Sequence, residues 1–158
     1  MAYTALDLLD KIIYVEEKKR DICGAGLYKA KNDMRIYILI KVMIRNLDRS
    51  IEFHKELKEQ MLKSEMEEID FIVYDKISFL IDEFSTKLLA PDIFNIKGLI
   101  KFCLEFQNDI LALCIYIQGR IVQREEDMNT STYKALNAMI VEKKKEIKNL
   151  EEFDKKYC

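Results

Sequence analysis

The sequence contains one histidine, one proline and four glycines in 158 residues, where average usage would give about 12% glycine plus proline. So few turn-formers exclude a sandwich or barrel built from many tight connections, and a disordered linker as well. His54 is the single imidazole, so any site that needs two histidines from one chain is excluded by counting. No stretch gathers charge of one sign: 26 Lys and Arg stand against 28 Asp and Glu, for a formal net charge of −2. Nucleic-acid binding relies on a basic patch that displaces counterions, and none is expected here.

Long hydrophobic runs are missing too. The longest, Ile110 to Ile117, has eight residues, well short of the ~20 that a membrane-spanning helix requires. The first seven residues lack the basic start and apolar centre of a signal peptide, so the expected location is the cytoplasm. Cys23, Cys103, Cys114 and Cys158 form no C-x-x-C pair. On one helix Cys103 and Cys114 would stand about 16 Å apart, too far to bridge. Reduced, mostly buried thiols are the expectation.

What the chain does have is apolar residues at helical spacing almost throughout. Its length suits one domain with a full core of its own, spanning residues 1–158. Five helices are predicted. The first covers about 5–27, opening on Thr4-x-x-Asp7 and loosening at Gly24 and Gly26, with Leu9, Ile13, Glu16 and Cys23 on one stripe. The second, about 33–63, begins at Asn32-Asp33 and carries Ile40, Met43, Leu47, Ile51, His54 and Leu57. Ser64-x-x-Glu67 has the form of a capping box, which predicts a third helix over about 65–89 with Ile69, Val73, Ile77, Leu80, Phe84 and Leu88 inward. Pro91 would end it. The fourth, about 97–126, is apolar on more than one side and is expected to be central. After a polar turn the fifth covers about 131–155, with Leu136, Ile140, Lys143, Ile147 and Leu150 inward. Five helices in one domain imply an all-α bundle.

Two helix pairs share a phase once the third helix is set aside as a connection. In the first pair Glu16 precedes Cys23 by seven residues, and the following helix carries Leu47, Ser50 and His54. In the second pair Gln107 precedes Cys114 by seven, and the following helix carries Lys143, Glu146 and Leu150. This order and phase resemble the ferritin-like superfamily, and within it the rubrerythrin-type bundles. The resemblance implies an antiparallel four-helix bundle with an additional helical crossover segment. It also implies a di-metal centre of iron or manganese, held by one Glu and one Glu-x-x-His from each pair. Transferred residue by residue, Glu16 keeps the family's first glutamate. Leu47-x-x-Ser50 replaces the first Glu-x-x-His, Gln107 replaces the second glutamate, and Lys143-x-x-Glu146 replaces the second Glu-x-x-His. Such a site would be vestigial.

Three arrangements could follow at these positions. Lys143 could take the place of the lost cations, paired with Glu16 and Glu146 and bonded by Gln107, with Leu47 closing the remaining volume. Alternatively, Lys143 and Glu146 snorkel to solvent while Glu16 pairs with Arg20 at i+4. A rebuilt carboxylate site of Glu16, Glu146 and water would hold a metal. His54 reads as a core or boundary residue, since no ligand or catalytic partner lies near it in sequence. The tyrosines read as boundary residues, Gly24-Ala25-Gly26 follows a helix and cannot cradle phosphate, and no hydrolase triad is indicated. The expected function is a non-catalytic structural or protein-interaction module without a cofactor, a homo-oligomer and in the simplest case a dimer. The alternative is an iron- or manganese-dependent oxidoreductase or iron-handling protein; a helical adaptor unrelated to ferritins would lack a buried Glu16/Lys143 constellation.

Overall fold

The computed structural model describes residues 3–63, 66–86 and 96–157, and these fold into five α-helices. They are α1 (Ala5–Lys29), α2 (Met34–Leu62), α3 (Phe71–Thr86), α4 (Ile96–Ile121) and α5 (Ser131–Tyr157), with a short 3-10 turn at Glu125–Asn129 before the last. The all-α expectation holds. Ser64, residues 87–89 and Pro91, invoked above for the limits of the third helix, lie outside the described residues, as does Cys158.

Local chemistry sets most of the helix starts. Thr4 caps α1 by accepting from the Leu6 amide at 3.2 Å, and the Asp7 carboxylate accepts from the Thr4 amide at 2.9 Å, completing a reciprocal capping box. Asp33 caps α2 through the amides of Arg35 and Ile36. The first helix passes through both glycines and extends two residues beyond the expected end at 27. It runs on to Lys29, since glycine weakens a helix interior without forbidding it.

Two boundaries differ from expectation. Glu67 does not belong to a box opening α3. Its carboxylate accepts from the amides of Ser131 and Thr132, both at 3.1 Å, and from the Thr132 hydroxyl at 2.9 Å. An anion there satisfies orphan donors at the positive end of α5. Residues 66–70 are therefore not helical, Ile69 pairs with Tyr3 in an isolated bridge, and Asp70 caps α3 through Ile72 and Val73. At the other site, α4 stops at Ile121 because Asp127 captures the amides of Gln123 and Arg124, each at 2.9 Å. A side chain that bonds nearby backbone offers an alternative to the helix ladder.

The helices form two antiparallel hairpins, α1 with α2 and α4 with α5. Between them α3 runs alongside α1 in the same direction. The bridge at Tyr3 and Ile69 marks its start, the Lys11 to Asp82 ion pair at 3.1 Å its middle, and the Lys18 ammonium on the Ser85 carbonyl its end. Its inward residues are Ile77, Ile81 and Ser85. Leu80, expected inward, is 37% exposed. The side of α3 that meets α1 is one position out of phase with the predicted stripe.

Apolar packing falls into two clusters. One joins Leu8, Ile12, Ile51, Ile110, Ile117 and Ile140; the other joins Cys23, Ile40, Met43, Leu47, Leu99 and Ile100. Between them lies a layer of buried polar side chains that includes Glu16, Lys19, Ser50, His54, Gln107 and Lys143. No helix among the described residues is long and apolar enough to cross a membrane.

Candidate functional site

Four of the helices contribute to the polar layer. Glu16 comes from α1, Ser50 and His54 from α2, Gln107 from α4, and Lys143 and Glu146 from α5. Ser50 and His54 share a face because residues four apart on a helix are neighbours, and the same holds for Lys143 and Glu146 at three apart. The side chains of Glu16, His54 and Lys143 are wholly buried.

Lys143 is the centre of the network. Its Nζ lies 3.0 Å from Glu16 Oε2, 2.9 Å from Ser50 Oγ, 3.1 Å from Gln107 Oε1 and 3.2 Å from Glu146 Oε2. Three ammonium protons therefore face four oxygen acceptors. The Ser50 hydroxyl accepts from Lys143 and donates to Glu16 Oε2. On the other carboxylate oxygen, Glu16 Oε1 meets His54 Nδ1. An ionised carboxylate only accepts, so Nδ1 carries the shared proton. His54 Nε2 is buried with no hydrogen-bond partner among the described residues.

The electrostatics follow from this wiring. Burial pushes the Glu16 carboxyl upward, but the Lys143 ammonium, together with the hydrogen bonds and charge of His54 and the Ser50 hydroxyl, outweighs it and holds the group at about 2. Burial works against the Lys143 charge, yet Glu16 and Glu146 raise its pKa above the ordinary lysine value. Glu146 moves the other way. Burial lifts it above the usual carboxylate range and Lys143 only partly offsets this. One ammonium thus serves two carboxylates unequally, and Glu16 has the stronger claim.

Of the sequence candidates, Glu16, Ser50, Gln107, Lys143 and Glu146 come together. Leu47 is buried and lines a neighbouring cavity together with Gln107 and Glu146. The snorkelling alternative is overturned: Lys143 has no exposure, and Arg20 pairs with Asp48 on the surface instead of with Glu16. Two residues escaped sequence reasoning. His54 was read without a partner, although its place four residues beyond Ser50 was the available signal. Lys19, three residues beyond Glu16, is a second buried lysine; its signal was a charged residue on the inward stripe of the first helix.

The donor set does not fit a di-metal centre. Among the described residues no group of three or more His, Cys, Asp or Glu side chains could hold a metal ion. The oxygens that would bind one already surround the Lys143 ammonium, and a divalent ion would require them at about 2.0–2.6 Å. The Ser50 hydroxyl donates to Glu16, a carboxylate held at about 2 and therefore a poor base for activating a serine. Cys23, Cys103 and Cys114 are free and buried. Burial pushes their thiols up, Cys23 to about 11 and Cys114 to about 12, which keeps them protonated and unreactive.

Next to this layer, between α2, α4 and α5, lies a cavity of about 200 Å³. Met43, Leu47, Gln107, Glu146 and Leu150 face it, and Lys19 reaches it from α1. No protein-family model, curated protein or solved structure matches the chain.

Proposed function

We propose that the chain is a non-catalytic, ferritin-like helical bundle that works as a structural or protein-interaction module in the cytoplasm, with an internal lysine where that superfamily holds its metals. The observation that carries this reading is the Lys143 ammonium, wholly buried among Glu16, Ser50, Gln107 and Glu146. The order of the helices supports it as well: two hairpins are joined by a helix that runs back along the first, which is the single long crossover of ferritin-like folds. A fixed ammonium satisfies the carboxylates at all times, whereas a metal site leaves them dependent on an exchangeable ion. The expected result is that protein produced in iron- and manganese-supplemented medium contains neither metal stoichiometrically, and that adding either leaves its melting temperature unchanged. Stoichiometric metal, or a large stabilisation, would establish the rival reading of an iron-handling protein or oxidoreductase with a rebuilt carboxylate site.

The partner we propose is a second copy of the chain. Phe71, Ile72 and Phe79 on α3 are exposed large apolar residues. Lys76 and Arg120 stand near Asp75 and Asp82 on the same side of the molecule. A two-fold interface must match itself, and a surface with both charge signs around apolar residues meets that condition. Sedimentation equilibrium should give a dimer for the native chain and a monomer for Phe79→Glu. A monomeric native chain, or a dimer indifferent to the substitution, would reject this face.

A further inference from the structure

Lys19 differs from Lys143 in one decisive respect. Lys143 is ringed by oxygens, while Lys19, only 1% exposed, has no acidic ion-pair partner among the described residues. Its Nζ sits 3.9 Å from the centre of the Phe106 ring and 5.6 Å from that of Phe102, with the Cys103 thiol beside it. Aromatic faces attract a cation, but they leave ammonium protons without strong acceptors, and a buried charge lacking them is unfavourable. The same side chain lines the cavity of about 200 Å³. An apolar cavity of ~150 Å³ is already enough to admit benzene.

We propose that this cavity binds a small organic carboxylate, with the Lys19 ammonium as counter-charge for its head and Met43, Leu47 and Leu150 as walls for its apolar body. Three cationic side chains (Lys19, Arg49, Lys145) and two acidic ones (Glu142, Glu146) face the space. Glu146 is already turned to Lys143 at 3.2 Å. With Glu146 engaged there, the cations facing the cavity outnumber its free carboxylate, and an anionic head offsets the surplus. The apolar walls favour a ligand with a hydrocarbon part over a hydrated inorganic anion. Gln107 also faces the cavity; its amide oxygen is bonded to Lys143, so its NH₂ group supplies a second donor for the carboxylate. The ligand site is independent of the dimer face, since it lies between α2, α4 and α5 and not on α3.

The test is calorimetric titration of the full chain with sodium benzoate, with benzamide and inorganic phosphate as controls. Benzoate should bind saturably with a Kd below about 1 mM, and neutral benzamide at least about tenfold more weakly, while phosphate gives no binding. Lys19→Met should abolish benzoate binding. So should Asn149→Trp, which places bulk at an exposed position on the cavity rim and tests the site even if the lysine variant fails to fold. The proposal is overturned if benzoate gives no saturable heat, if benzamide binds equally well, if phosphate binds more tightly than benzoate, or if either folded variant retains native affinity.

Discussion

Lys143→Met is expected to destabilise the fold by about 3–5 kcal/mol, the usual result of removing one partner from a buried ion pair. Methionine keeps an unbranched apolar stem as far as the ε-carbon, so the change isolates the ammonium. Without it Glu16 is an anion at 0% exposure, held only by Ser50 and His54. Gln107 and Glu146 also lose the donor they share. A domain of this size has roughly 5–15 kcal/mol in total, which leaves the variant near the margin of folding. The companion change Glu16→Gln removes the stranded charge, so the double variant should be more stable than Lys143→Met alone. Urea unfolding of the wild type, both single variants and the double variant forms a cycle whose coupling should exceed about 1 kcal/mol. A Lys143→Met effect within ~0.5 kcal/mol, as at ordinary surface positions, would contradict the central place given to this lysine.

How much of this was readable from the sequence depended on the range of each interaction. The Thr4 and Asp33 caps lie within three residues of the amides they bond, and both starts were legible. Glu67 has the same local pattern, but its partner lies 64 residues along the chain at Ser131. No periodicity reveals such a contact. In α3 the apolar residues surround the helix so fully that Ile77 fits either the stripe through Leu80 or the one through Ile81; contact with α1 selects the second. Within the site, the resemblance drawn from the shared phase of the two helix pairs implied that Glu16, Ser50, Gln107, Lys143 and Glu146 lie together. The phase along one helix says which residues face inward, but not which turns of two helices meet. Hence the bond from His54 to Glu16 stayed hidden, and so did Lys19, whose long stem carries its ammonium to aromatic rings on α4.

Acid should act on stability in two opposed steps. Glu146 has a folded pKa raised above its ordinary value of 4.5, so the folded protein takes up this proton before the unfolded chain does. As pH falls from neutral through that folded pKa toward 4.5, stability rises. Glu16 has the reverse sign. Its folded pKa is about 2 against 4.5, so its contribution is complete above 4.5 and is lost as pH falls toward about 2. The difference corresponds to ~3 kcal/mol at 1.36 kcal/mol per unit. Lys143, raised above 10.5, contributes fully below 10.5 and loses its contribution as pH rises through its folded value. Other carboxylates also titrate in acid, so the informative quantity is the difference between variant and wild type in urea unfolding across this range. Glu146→Gln should remove the rise and preserve the later fall, whereas Glu16→Gln should flatten the fall below 4.5. If Glu16→Gln loses stability in acid as steeply as the wild type, Glu16 is not the depressed carboxylate. If Glu146→Gln keeps the rise, the second carboxylate does not share the ammonium in the way its contacts indicate.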